Sequence, residues 1–121
     1  MTTKECYEQM GENYNEVMER LGSERILNKF AIKFLSDKSM EELKEGLAEK
    51  DGEKAFRAAH TLKGICLNLG FGKLFTVSSD ITEKLRGRDT AGCEPLLVEV
   101  QKQYDNVVNA VKQLEAETKA D

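Results

Sequence analysis

The sequence predicts an all-α protein, an antiparallel four-helix bundle with a short additional N-terminal helix. Apolar residues recur at steps of three and four along most of the 121 residues, which is the period of amphipathic helices. No segment alternates as a strand would, and a single proline leaves long helices uninterrupted. The length suits one domain, so we expect a single domain over residues 1–121 with its core over about residues 12–116.

The N-terminal half contains three predicted helical segments. A short opening helix is expected to end near Gly22. Between the second and third stripes lies "SDKS", where Ser39 and Glu42 have the spacing of a capping box, so the helix is expected to kink or restart there. The apolar residues of the three stripes are Tyr14, Val17, Met18 and Leu21, then Leu27, Phe30 and Phe34, then Met40, Leu43 and Leu47.

The C-terminal half contains three further stripes, each predicting one helix packed into the core. For the first of these helices Asp51 is the predicted N-cap and Gly70 the predicted stop. Pro95 fits the first turn of the last helix, after the loop "GRDTAG" over residues 87–92. The stripes are Ala55, Ala59, Leu62, Cys66 and Leu69, then Leu74, Val77, Ile81 and Leu85, then Leu97, Val100, Tyr104, Val107, Val111 and Leu114.

Composition excludes several classes of function. The net charge is -4 and no basic block is present, which argues against nucleic-acid binding. No apolar run is long enough for a membrane span or a signal core. The cysteines, Cys6, Cys66 and Cys93, are odd in number and lack CxxC spacing, so no disulfide framework or zinc site is predicted and a cytoplasmic protein is expected. One histidine cannot make a His-rich metal site.

The single histidine, His60, lies within "AHTLKGICLNLG", residues 59–70. On a helical wheel it falls about 130° from the centre of the apolar stripe, so its imidazole is predicted to face solvent. Lys63 and Gly64, three and four residues on, are its neighbours on the helix surface.

Gly64 is unusual because glycine costs about 1 kcal/mol relative to alanine inside a helix, and the stripe continues beyond it to residue 69. Close approach of another molecule is the simplest reason for a missing side chain. Leu67, Phe71 and Phe56 would add apolar surface beside it, which predicts a docking site.

The chemistry of this patch follows from its side chains. A neutral imidazole is a nucleophile that can accept a phosphoryl group, and Lys63 could stabilise the charge on phosphoryl oxygens. No neighbouring carboxylate activates His60 as a hydrolytic base. Spacing alone leaves open that His60 is simply a polar surface residue.

The same stretch resembles the signature of histidine-containing phosphotransfer (HPt) domains, His-x-Leu-Lys-Gly followed by Leu-Gly. The rest of the chain resembles the family more weakly, in the order of its helices. The matching positions are His60, Leu62, Lys63, Gly64, Leu69, Gly70 and, beyond the turn, Leu74.

The resemblance implies a four-helix bundle that carries phosphate on His60, taken from a receiver-domain aspartate or a kinase and passed to another receiver. It implies that Lys63 assists the phosphoryl group and that Gly64 lets the receiver approach. The expected partners are response-regulator receiver domains, a hybrid histidine kinase, or both. The resemblance implies no ATP site and no intrinsic cofactor. Mg²⁺ is expected on the partner receiver domain. We expect a monomeric phosphoryl carrier rather than an enzyme.

The chain departs from the family pattern at a few positions. Small residues are common in the family where Ile65, Leu67 and Phe71 stand. On the wheel Ile65 lies near the core boundary and is expected to change packing, whereas Leu67 and Phe71 flank the docking surface and affect partner choice more than chemistry. Many members carry a glutamine or other polar side chain on the next helix near the histidine. Thr82 lies near that position, and no role is assigned to it.

Two other functions remain open at this stage. A docking module could keep the fold, carry no phosphate, and block receivers or a kinase; loss of His60, Lys63 or Gly64 would be its signature. An unrelated structural bundle would lose nothing when His60 is removed. The ends of the chain favour a free-standing protein, and a fragment of a kinase of the chemotaxis type is the other interpretation.

Overall fold

A computed structural model describes the backbone of residues 1–120 and the side chains of residues 1–118; Asp121, the last residue of the predicted domain, lies outside it. The described chain is helical and contains no strand, which confirms the all-α prediction. The elements are α1 (Thr3–Met10), α2 (Tyr14–Leu21), α3 (Glu24–Lys33), a 3₁₀ turn (Phe34–Ser36), α4 (Ser39–Ala48), α5 (Gly52–Leu69), α6 (Gly72–Lys84) and α7 (Glu94–Ala120).

Helix α5 is packed between α4 and α6, and α6 packs in turn against α7. Helices α1 and α3 cover α7, and α3 also contacts α5, so the helices enclose one core. All five residues of the predicted α5 stripe are buried. The helical wheel therefore identified the inner face of α5 correctly, and the opposite face of this helix is exposed to solvent.

Both ends of α5 are formed as the sequence predicts. The Asp51 carboxylate accepts a hydrogen bond from the backbone N–H of Lys54 at 3.1 Å, a cap that contributes about 1 kcal/mol. At the other end Gly70 adopts a left-handed conformation with φ 71°, and the N–H of Phe71 donates to the carbonyl of Cys66 at 2.9 Å. This ending turns the chain sharply into α6.

The predicted break at "SDKS" is present, but its cap is a different residue. Ser39 is the first residue of α4 and makes no capping box with Glu42. Instead the Asp37 carboxylate accepts a hydrogen bond from the Ser39 N–H at 2.9 Å. An Asp two residues earlier reaches the free N–H groups of the first turn equally well.

The N-terminal helix α1 was not predicted, and the core begins before residue 12. Cys6, Tyr7 and Met10 are buried, and the Tyr7 hydroxyl donates to the carbonyl of Leu69 at 2.6 Å. Only these few apolar residues mark the helix, and a pattern of that length is weak. The short helix that was predicted, α2, is present as well.

The stripe of α3 is shifted from the predicted one. Leu27, Ala31 and Phe34 are buried, whereas Phe30 is 44% exposed. The small Ala31, rather than Phe30, faces the neighbouring helices, which leaves the side of α3 that carries Phe30 partly exposed.

None of the described helices carries a stretch sufficiently long and apolar to cross a bilayer.

Candidate functional site

The imidazole of His60 is exposed in the middle of α5. Its neighbours Ala59 and Leu62 are buried in the core. Within residues 1–118 no hydrogen bond or ion pair engages the ring. Both ring nitrogens are therefore free to react with, or to bind, another molecule.

Lys63 lies one turn further along α5, on the His60 side, and is half-buried. Among the side chains that the structure describes, it forms no salt bridge or hydrogen bond. Two hydrogen bonds from Arg86 lower the pKa of the Glu83 carboxyl, and the charge of Lys63 contributes to that lowering. The ammonium group is thus near the α6 surface and available to an anion.

Gly64 lies beside His60 and faces open space. A Cβ built there would meet no heavy atom within 4 Å beyond the helix's own backbone, so nothing inside the protein requires glycine. Leu67, on the next turn, is 51% exposed. The structure brings His60, Lys63, Gly64 and Leu67 together on one face of α5, as the spacing predicts.

Phe71 does not belong to this face, so its predicted docking role is wrong. The ring is fully buried and packs against Tyr7 at 5.8 Å and Phe34 at 5.3 Å between ring centroids. The helical wheel ceases to apply at Gly70, where the left-handed residue reverses the chain. That reversal directs the next side chain into the core.

Phe56, one turn before His60, is half-buried. The two rings are nearly parallel, with 8° between their planes and 6.0 Å between centroids, which is within the range of offset stacking. The guanidinium carbon of Arg88 lies over the Phe56 ring, 3.8 Å from its centroid. Phe56 is therefore in contact with a cation and with the imidazole.

No role was predicted for Arg88, which lies in the loop between α6 and α7. Its backbone has φ 62°, its Nε donates to Glu53 at 2.8 Å, and Glu53 also accepts from Arg57 at 2.8 Å. The two arginines lower the pKa of the Glu53 carboxyl by hydrogen bonding. No sequence signal could have placed the loop here, except that a glycine at 52 permits its close approach.

Two other positions bear on the family comparison. Thr82 is buried, and its hydroxyl donates to the Ser78 carbonyl in its own helix at 2.6 Å. Ile65 is half-buried against the core. It also lines an apolar groove of about 630 Å³ between α3 and α5, together with Leu21, Phe30, Lys33, Phe34, Ser36, Asp37, Lys38, Asn68 and Leu69.

Other reactive groups in the described residues are poor candidates for the chemistry. The three cysteines are free and buried, and burial raises the pKa of the Cys6 thiol to about 11. No group of three or more His, Cys, Asp or Glu residues in the described chain could hold a metal ion. The arrangement that can react is an exposed imidazole with an ammonium group beside it and an open approach over Gly64.

Comparison with known proteins gives one match. The family model of the Hpt domain matches residues 35–110, a range that includes the whole of α4, α5 and α6. Searches of curated proteins and of solved structures find no significant match.

Proposed function

Because the chain belongs to the Hpt domain family, whose members are phosphocarrier modules of two-component signalling that interact with receiver domains and histidine kinases, we propose that its carrier residue is His60. In this proposal His60 accepts a phosphoryl group from a receiver-domain aspartate or a kinase and passes it to another receiver. Lys63 assists the transfer, and Gly64 and Leu67 receive the partner.

The transfer is a displacement at phosphorus. The unprotonated nitrogen of the neutral imidazole forms a bond to phosphorus as the bond from phosphorus to the aspartate oxygen breaks. The carboxylate leaves with the electron pair, and the second ring nitrogen keeps its proton. Lys63 would interact with the phosphoryl oxygens, which carry negative charge throughout. Mg²⁺ would come from the receiver.

The observation that carries the proposal is the open space at Gly64, next to an unengaged His60. Glycine lowers the stability of a helix interior, and no internal contact at Gly64 compensates for this loss. We therefore attribute the glycine to contact with a partner protein. A flat strip of helix beside a nucleophile lets a receiver bring its buried aspartyl phosphate within bonding distance. Phe56 would border this strip, and the groove beside Ile65 would extend it.

Further aspects of the role follow from the same proposal. We propose that the protein works as a monomer and binds neither nucleic acid nor membrane. We place it in the cytoplasm, where its three free cysteines remain reduced.

The test is transfer of labelled phosphate from phosphorylated receivers and an autophosphorylated kinase to the wild type and to His60→Gln. We expect label on the wild type, labile in acid and stable in alkali as a phosphoramidate is, and none on the variant. Because His60 is exposed, the variant should remain folded and lose at most the roughly 0.5–1.5 kcal/mol of a ring contact with Phe56 in urea unfolding.

Label that survives in His60→Gln would exclude this residue as the carrier. Tight binding of a receiver without any transfer would instead indicate a docking module that blocks its partner. Neither label nor binding with any donor would contradict both functions.

A further inference from the structure

Phe56 and Arg88 form a layered contact with His60, which we call the Arg88–Phe56–His60 stack. The imidazole is nearly parallel to the Phe56 ring, and the Arg88 guanidinium lies over that ring at 3.8 Å. A cation at this distance from an aromatic centroid is attracted by the electrons of the ring. The stack thus joins the α6–α7 loop to the face of α5 that carries His60.

Arg88 is held in place independently of Phe56. Its Nε donates to Glu53, one of its terminal nitrogens donates to the carbonyl of Arg86, and its own N–H donates to Leu85 at 2.8 Å. A Cβ at Gly52 would lie 1.8 Å from the carbonyl oxygen of Arg88. The absence of that atom allows the loop to lie directly on the start of α5.

The neighbouring Arg86 is not an equivalent partner. Its guanidinium makes two hydrogen bonds to Glu83, at 3.0 and 2.6 Å, and its carbon is 5.7 Å from the Phe56 centroid. Arg88 is therefore the cation in close contact with the ring.

An exposed histidine with no hydrogen bond would otherwise sample several side-chain rotamers. Only a rotamer that directs the reactive nitrogen toward the incoming phosphorus is productive. We propose that Phe56 and Arg88 are positioning residues, which hold the His60 imidazole in one orientation before a receiver docks. This inference rests on the proposed function, since it concerns how the carrier is presented.

The test combines a spectroscopic readout with transfer kinetics. Since the chain has one histidine, its imidazole proton resonances in an NMR spectrum are unambiguous. Stacking on Phe56 should displace them by a ring-current effect. We expect Phe56→Leu to abolish that displacement, Arg88→Gln to reduce it, and Phe56→Tyr to retain it.

In transfer from a phosphorylated receiver, Phe56→Leu and Arg88→Gln should lower the maximal rate roughly two- to tenfold, the range that a stacking contribution allows. The half-saturating receiver concentration should not change in Arg88→Gln, whose residue lies outside the proposed docking surface, and Phe56→Tyr should transfer at a rate close to that of the wild type. Arg57→Gln is the matched control: it removes a positive charge and a Glu53 partner without a ring contact, so both readouts should stay as in the wild type.

Unchanged imidazole resonances in Phe56→Leu, or an effect of Arg88→Gln only on the half-saturating concentration, would overturn the positioning role. A wild type that takes up no phosphoryl group would overturn the proposed function, and the role of the stack in transfer with it. A labelled wild type with unaffected Phe56→Leu and Arg88→Gln would overturn the stack alone.

Discussion

Two glycines of the described helices, Gly46 and Gly64, lie beyond the first turn of their helix, and their surroundings are opposite. Gly46 in α4 is buried, and a Cβ there would lie 2.7 Å from the backbone nitrogen and 2.9 Å from the Cα of Ala55. Gly64 in α5 is exposed, and a Cβ there would meet nothing. The first is required by the packing of α4 on α5, and the second has no internal requirement.

The comparison separates a glycine that helix packing requires from one that no internal contact explains. Both glycines cost about the same helix stability, and neither ends its helix. At Gly46 the cost is offset by the close approach of two helices. At Gly64 no internal contact offsets it, and under the proposed function the docking of a receiver would, so changes at the two positions should affect different measurements.

The largest expected effect is on transfer in Gly64→Gln. A long side chain beside His60 would hold a receiver away by more than an ångström, and displacement of that size lowers rates by roughly 10²-fold. The rate of transfer from a phosphorylated receiver measures it, with the urea midpoint as the control for folding. Equal rates in variant and wild type would remove the docking role of Gly64.

Gly46→Ala should have the next largest effect, on stability. The added methyl group would press on the Ala55 backbone, which cannot rotate away, and overpacking of this kind costs roughly 1–3 kcal/mol. The rigid Ala55 backbone puts the overpacking cost in the upper part of that range, about 2–3 kcal/mol. Since alanine recovers about 1 kcal/mol of helix propensity, the net loss should be about 1–2 kcal/mol in urea unfolding. Transfer per folded molecule should be unchanged, and a variant as stable as the wild type would contradict the packing role.

Lys63→Ala tests the chemistry of the open face. Loss of the ammonium group should slow transfer by roughly tenfold, less than for a donor in a closed site because solvent screens the charge. The half-buried side chain makes no ion pair in the described part of the chain, so the melting temperature should hardly change. A large drop in melting temperature would mean that Lys63 supports the fold instead.

Local patterns predicted most of the fold and most of the exposed face of α5 that contains His60. The α5 stripe, its cap at Asp51 and its end at Gly70 depend on residues close in sequence, and all three are confirmed. The same wheel correctly placed His60 and Leu67 at the surface. Helical periodicity was a reliable guide along α5, whereas within α3 it placed Phe30 in the core although that ring is 44% exposed.

The remaining features depend on tertiary structure. Phe71 was misplaced because the chain reverses at Gly70, where the wheel loses its meaning. Arg88 was not found because a loop 28 residues beyond His60 can fold in many ways, and its place depends on packing against Gly52 and on the hydrogen bond to Glu53. The distinction between Gly46 and Gly64 likewise needs the neighbouring helix.

The smallest expected effect is the gain of stability in Gly64→Ala. Since the added methyl group meets no atom of the protein, only helix propensity changes, and the variant should be more stable by up to about 1 kcal/mol in urea unfolding. A methyl group is too small to hold a receiver far away, so transfer should fall much less than in Gly64→Gln. A loss of stability would reveal an internal contact at Gly64 and make the two glycines equivalent. A gain would show that the fold does not require glycine at this position, as the proposed docking role of Gly64 predicts.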